Sequence, residues 1–345
     1  MAKLMSTKRV LLSDVAKLAG LSKATVSRYM NHSIVLPQET TDRIEMAIRT
    51  LDYRGNSLAR RLSKGGSETL GLVLPDITNP FFAELADAAE EAASAQGYSL
   101  VLCITRNNPE KETQFIRWLD TRQVDGLLFT TNRPDNGMLR HEIQRQRNVV
   151  LLDEDIPGSS VPKVFADNVQ GGRLATEQLI AAGHTRIAFI GGPEQLMSVR
   201  ERYLGFCTAM QQAGLAVDPQ WIMYGNYARE FGQQALKQLF CCDQRPTAVF
   251  AASDYLVLGL LDGLRDSGLQ APAALSLVGF DDANYTDHTQ PRISTIRQPA
   301  RLLGHTAVDI MLRLLNNDAD IPTETRLSVE WVGRDSIAFV SDVPK

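Results

Sequence analysis

From Thr69 onward, apolar strand-like runs alternate with amphipathic helical stretches, and this alternation constrains the chain more than any other feature. ETLGLVLPD precedes FFAELADAAEEAASAQG. The runs YSLVLCI, VDGLLFTT, NVVLLDED, TRIAFIGG, TAVFAAS, LSLVGFDD and RISTIRQP recur with helical stretches such as VQGGRLATEQLIAAG and SVRERYLGFCTAMQQAG among them. Continuous apolar strands suit parallel sheets buried on both faces, and the intervening helices suit right-handed crossovers. The strands are too many for one compact sheet. TLGLVLPD and TRIAFIGGP open two stretches of the same kind, so the economical reading is two doubly wound α/β lobes with a ligand between the strand ends.

That rule places candidate ligand contacts at Asp76 to Phe82 after GLVLP, Asp153 to Asp155 after VVLL, Ser253 and Asp254 after VFAA, and Asp281 after LVGF. Carboxylates and amides accept hydroxyl protons, and aromatic faces cover C–H surfaces, which is the chemistry a polyhydroxylated ligand needs. Each aspartate taken singly is also an ordinary helix N-cap. The convergent set is what favours ligand binding.

The front of the chain is different. In DVAKLAGLSKATVSRYMN, Val15, Ala16 and Ala19 share one helical face, and Val26 and Met30 share another. Gly20 stands between the two patterns, where a sharp reversal needs positive φ, and Ser22 is placed to cap the second helix. A third helix follows Pro37 with its stripe of Ile44, Ala47, Ile48 and Leu51. The polar side of the second helix then carries Lys23, Ala24, Thr25, Ser27, Arg28 and Asn31, side chains able to meet phosphates and base edges. Residues 1–66 carry a net charge of +7 and the rest −11, so the basic head is the part suited to a polyanion. After it, Asn56 or Ser57 can start a short helix whose Arg60 and Arg61 suit phosphates and whose Leu62 suits a wedge between minor-groove base steps.

Composition excludes several classes. No apolar run reaches the ~18 residues of a membrane helix, and MAKLMSTKRVLLSDVAK lacks a signal-peptide pattern, so a cytoplasmic protein is expected. Cys103, Cys207, Cys241 and Cys242 read as reduced thiols, and the five histidines show no metal spacing, so neither metal nor cofactor is expected. The tail after Ile337 is expected to fray.

DVAKLAGLSKATVSRYMN, the hinge DYRGNSLARRL and the body together resemble the LacI/GalR family of bacterial transcription repressors, from about Leu12 to Val332. The resemblance implies a helix–turn–helix DNA-binding domain over 10–55 and a hinge helix and linker over 56–67. It implies a bilobal body over 68–340, like periplasmic sugar-binding proteins, whose chain crosses between lobes three times. Lobe one is then about 68–165 plus 298–325, and lobe two about 169–294 plus 328–340. Lys23 and Ala24 become the principal base-reading positions and Leu62 the minor-groove leucine. The DNA-contacting set is Ser22, Lys23, Ala24, Thr25, Ser27, Arg28, Asn31, Asn56, Arg60 and Leu62. Gly55 departs from the family's usual proline. The effector set is Asn79, Phe81, Phe82, Asp153, Asn168, Arg202, Tyr227, Ser253, Asp281 and Gln298.

Glu154 stands where the family usually carries arginine, and Ser253 where asparagine is common. Losing a cationic fork argues against a strongly anionic ligand. The order of preference is a neutral sugar or polyol, then a sugar acid, then a nucleobase. The implied partners are near-palindromic operator DNA, a small effector and a second copy of the chain in a homodimer. No leucine-heptad tail suggests a tetramer. The regulator reading is a repressor of a carbohydrate operon, released by its sugar; corepression by a sugar acid or nucleobase is its alternative. An enzyme, such as a glycosidase using Asp153 and Asp281, lacks a nucleophile constellation, and a transport-associated binding protein does not fit the basic head.

Overall fold

The computed structural model describes residues 10–30, 33–53 and 66–340, and the chain divides into two compact units at Ser67. In the first unit, α1 (Leu12–Ala19), α2 (Lys23–Met30) and α3 (Gln38–Thr50) close over Val15, Ala16, Ala19, Val26, Ile44 and Ala47. Gly20 ends α1 at φ +67°, and the Leu21 N–H bonds back to the Ala16 carbonyl at 2.9 Å. Arg43 of α3 seals the corner by donating to the Ala19 carbonyl at 2.6 Å. A Cβ on Gly20 would lie 2.6 Å from that guanidinium. Gly20→Val is therefore expected to cost the head ~1–2 kcal/mol from the left-handed backbone alone. The thermal midpoint of the head's unfolding transition checks it, and an unchanged midpoint would remove the glycine from the turn's energetics.

The second unit holds two six-stranded sheets. The first comprises β1 (Thr69–Leu74), β2 (Ser99–Ile104), β3 (Gly126–Phe129), β4 (Val149–Leu152), β5 (Lys163–Ala166) and β11 (Glu324–Leu327), ordered β11-β5-β4-β3-β1-β2 and wholly parallel. The second comprises β6 (Ile187–Gly191), β7 (Ile222–Tyr224), β8 (Ala248–Ala251), β9 (Ser276–Asp281), β10 (Ser294–Arg297) and β12 (Glu330–Val332), ordered β12-β10-β9-β8-β6-β7. Among the described residues only β12 pairs antiparallel, with β10. Leucine, valine and phenylalanine of the central strands pack on both faces of each sheet against helices, giving two cores per lobe. The fold is thus a helical head followed by two doubly wound α/β lobes.

The chain leaves the first sheet after β5 and enters the second lobe with α7 (Asn168–Ala181). It returns between β10 and α11 (Ala300–Leu315), which packs on α4 (Pro80–Ala95) of the first lobe, and crosses again between β11 and β12. Residues 338–340 differ from the frayed tail expected, and the rest of that tail lies outside the described residues. The Val340 N–H donates to the Ala182 carbonyl at 3.0 Å, and a ring nitrogen of buried His184 lies 3.0 Å from the Ala338 carbonyl oxygen. Backbone bonding to the end of α7 ties them down through Val340.

Candidate functional site

Strands that run parallel point their C-terminal ends the same way, so loops after successive strands converge. Here the ends of both sheets face one interlobe cleft. From the first lobe come Asn79, Phe81 and Phe82 after β1, Asn132 after β3 and Asp153 after β4. From the second come Ser198 and Arg202 on α8 (Met197–Gln212), Tyr227 before α9 (Arg229–Cys241), Ser253 before α10 (Asp254–Asp266) and Asp281 ending β9. Gln298 enters from the second crossing. A roomier groove beside α10, lined by Leu258, Leu261 and Arg265 among others, holds no buried unpartnered polar atom among the described residues.

Local structure aims these groups. Asn79 caps α4, its Oδ1 accepting from the Phe81 N–H at 3.1 Å, which turns Phe81 and Phe82 inward with ring centroids 5.1 Å apart. Asp153 has φ +64° and Asp281 φ 122°, left-handed conformations that cost energy for a side-chain-bearing residue and turn both carboxyls off the strand ends. Ser253 does two jobs: its Oγ accepts from the Tyr255 N–H at 3.3 Å and donates to Asp281 Oδ2 at 2.9 Å. Gln298 Nε2 donates to the other oxygen of Asp281 at 2.7 Å.

Arg202 is buried and held by neutral acceptors. It donates to Asn168 Oδ1 at 2.8 Å and to the Ala252 carbonyl at 2.6 Å, with its guanidinium carbon 3.7 Å from the centre of the Phe280 ring. Asn168 alone of the ten effector candidates does not line the cleft; it stands behind, orienting Arg202. The strand-end rule also selects residues with other employment. Asp76 closes a turn on Thr78, Asp155 pairs with Lys163 at 2.6 Å, and Asp254 is buried behind the cleft, accepting from the Ala283 N–H and Thr295 hydroxyl.

Asn132 and Ser198 are lining residues the sequence reading missed. Asn132 follows the end of β3, so the strand-end rule would have reached it. Ser198 opens α8, and nothing in sequence brings α8 opposite the loop carrying Glu154. Across the cleft, Glu154 docks on the N-terminus of α8, accepting from the Met197 and Ser198 N–H groups and from Ser198 Oγ at 2.7 Å. A carboxylate suits a helix N-terminus.

Burial nonetheless dominates the electrostatics. It pushes Asp153 up to about 6, against the pull of Arg202 and with a further push from Asp281. It pushes Glu154 up to about 7, against the Ser198 and Met197 hydrogen bonds and with repulsion from Asp153. Asp281 and Tyr227 are raised by burial as well. A carboxyl with a folded pKa above its unfolded value holds its proton longer when folded. Its contribution is fully present below the unfolded value and lost as pH rises through the folded one. Glu154 should therefore lower stability between about pH 4.5 and 7, by on the order of 1–3 kcal/mol. Thermal midpoints across that window should fall more steeply with pH for the parent than for Glu154→Gln; parallel slopes would refute the assignment.

In the head, Lys23, Ala24 and Arg28 of α2 are exposed and Thr25 and Ser27 half-buried, beside an exposed Ser22 whose Oγ accepts from the Thr25 N–H at 3.0 Å. Asn31, Asn56, Arg60 and Leu62 lie outside the described residues. Among the described residues no group of acids, histidines or cysteines is placed to hold a metal, and no helix is long and apolar enough to cross a membrane.

Two family models match the chain. Residues 11–56 match bacterial regulatory proteins of the lacI family, and residues 67–335 match periplasmic binding proteins and the sugar binding domain of the LacI family. The chain is 32% identical over 332 residues to the HTH-type transcriptional repressor PurR of Vibrio vulnificus (strain CMCP6), covering 96% of this chain and 99% of that protein. A Lac repressor dimer bound to operator and the anti-inducer ONPF superposes with a TM-score of 0.85 at 28% identity, over 96% of this chain and all of that one. A LacI family transcriptional regulator from Enterococcus faecium with bound ribose gives a TM-score of 0.68 at 28% identity, over 79% of this chain and 99% of that one.

Proposed function

Because this chain belongs to the LacI family of DNA-binding transcriptional regulators, with a periplasmic-binding-protein-like effector domain, we propose that it represses a carbohydrate uptake or catabolism operon and leaves its operator when a small sugar derivative enters the cleft. The family is one of regulators and not of enzymes. The observation that carries the sugar reading is the convergence of acceptors and aromatic faces on one cleft, with Asp153 Oδ1 and Gln298 Oε1 buried there without a partner. Buried acceptors without donors are costly, so a ligand rich in hydroxyl donors gains by supplying them. The ribose bound to the E. faecium regulator supports the same class. Glu154, docked where an anionic ligand group would seek a helix N-terminus, disfavours a sugar acid.

On this reading the head over 10–55 binds DNA through Ser22, Lys23, Ala24, Thr25, Ser27, Arg28 and Asn31, the hinge over 56–67 adds Asn56, Arg60 and Leu62, and the body over 68–340 senses the effector in the cytoplasm. Two copies would pair on a partly palindromic site. Val101 and Leu102, on opposite faces of the outer strand β2, stay 37% and 47% exposed, apolar surface at the sheet edge suited to such pairing. Effector closure of the lobes, preferring one global state, would release the DNA.

Binding of the full chain to DNA selected from a randomised near-palindromic library tests the reading, followed by release with pentoses, hexoses, polyols and their derivatives. Selective DNA binding relieved by one such compound supports it; selective binding tightened by the ligand instead would make the ligand a corepressor. Arg28→Ala should weaken operator binding about tenfold and lower the salt slope by about one, as loss of one phosphate contact does. Equal loss of effector affinity would count against that assignment.

A further inference from the structure

We propose that the ligand of the interlobe cleft is a polyhydroxy compound carrying a cationic nitrogen, seated against Asp153. The proposal rests on the reading of the cleft as the effector site, and narrows its chemistry. Two carboxylates, Asp153 and Asp281, line the cleft; Glu154 lies beside it, and Asp254 is buried behind Asp281. Arg202 is the single cation among the described lining residues. Its guanidinium hydrogen bonds go to the Asn168 side chain and the Ala252 carbonyl, both neutral acceptors. The ionised cleft is therefore in negative excess.

The carboxylates are not equivalent. Asp281 has both oxygens engaged, by Ser253 and Gln298. Glu154 has both engaged by the start of α8. Asp153 keeps Oδ1 without a partner at 8% exposure, and Gln298, 5% exposed, leaves its Oε1 likewise unmatched. Both are acceptors. A hydroxyl offers either of them one donor and no charge, whereas an ammonium offers several donors and the charge the site lacks. In a closed, weakly solvated site that charge outweighs a neutral donor.

Protonation gives an independent handle. Burial raises both Asp153 and Glu154 toward neutrality; Asp281 adds to the rise at Asp153 and only Arg202 opposes it there, while Asp153 adds to the rise at Glu154 and the Ser198 and Met197 hydrogen bonds oppose it. A bound cation lowers these pKa values through its charge and expels protons; a neutral polyol, which offers hydrogen bonds alone, lowers them less.

The test uses the full chain at pH 6.5, with thermal shift and calorimetry in two buffers of different ionisation enthalpy. The probes are glucose, ribose and glucitol, their amino-deoxy counterparts, gluconate, glucuronate and free nucleobases. The expected result is an amino compound bound at least tenfold more tightly than its neutral parent, with proton release. Asp153→Asn should reverse that preference, and Glu154→Gln, which stays isosteric, should narrow it. A neutral parent bound as tightly as its amine overturns the cation and leaves the sugar reading standing. Binding of an acid or nucleobase alone overturns both, and a panel in which no amine binds overturns the cation.

Discussion

Replacing Arg202 by alanine should lower the thermal midpoint of the second unit by roughly 6–20 °C, the equivalent of about 3–5 kcal/mol at ~2–4 °C per kcal/mol. The cost comes less from lost attraction than from what is left behind. Asn168 Oδ1 and the Ala252 carbonyl lose their donor, the Phe280 ring loses the guanidinium over its face, and Asp153 and Asp281 lose the cation that lowers their pKa. Removing one partner of a buried set leaves the others desolvated and unpaired. Arg202→Lys keeps a charge but not the two directed donors, so it should recover only part of the loss. An alanine variant melting within a degree or two of the parent would mean that water replaces the guanidinium without cost.

Gly205→Val should be comparably damaging, though nothing about it is electrostatic. A Cβ at Gly205 would sit 2.2 Å from the Val169 carbonyl oxygen and 2.6 Å from the Arg173 nitrogen, both backbone atoms of α7. A Cβ on Gly172 of α7 would likewise run into the Arg202 backbone carbonyl. The helices touch backbone to backbone, so they must separate to admit a side chain. Overpacking of this kind costs ~1–3 kcal/mol or more. Arg202 and Asn168 lie about one turn before these glycines, on α8 and α7, so separation pulls their hydrogen bond apart. Gly263→Ala is the control, since its new Cβ meets Leu236 Cδ2, the far end of a flexible side chain. Urea unfolding of the two variants checks the ranking, and equal losses would contradict it.

Periodicity revealed the long apolar strands because burial on both faces leaves nothing but apolar residues in them. It did not reveal β5, β7, β11 and β12. These are three or four residues long, and β11, ETRL, alternates between exposed and half-buried at the sheet edge. Their identity as strands comes from neighbours distant in sequence. The same division runs through the cleft. Asp153, Ser253 and Asp281 follow from the rule that ligands meet strand ends, whereas Arg202, Tyr227 and Gln298 were singled out by resemblance. Glu154 was recognised as a departure, yet its docking on α8 depends on the second lobe being opposite, which no local pattern encodes.

The three crossings leave from neighbouring strands: β5 and β11 lie side by side in one sheet, β10 and β12 in the other. Such a strap resists twisting and sliding between the lobes while permitting them to swing, as a door hung on three leaves can swing but not sag. Gln298 sits within one leaf, and Asn168 at the end of another. On the proposed reading, a ligand held by Gln298 would grip the axle as well as the jaws, and small differences in its shape near that end would be geared into the angle at which the lobes come to rest. A nick in any one leaf would leave the other two in place, and the swing with them.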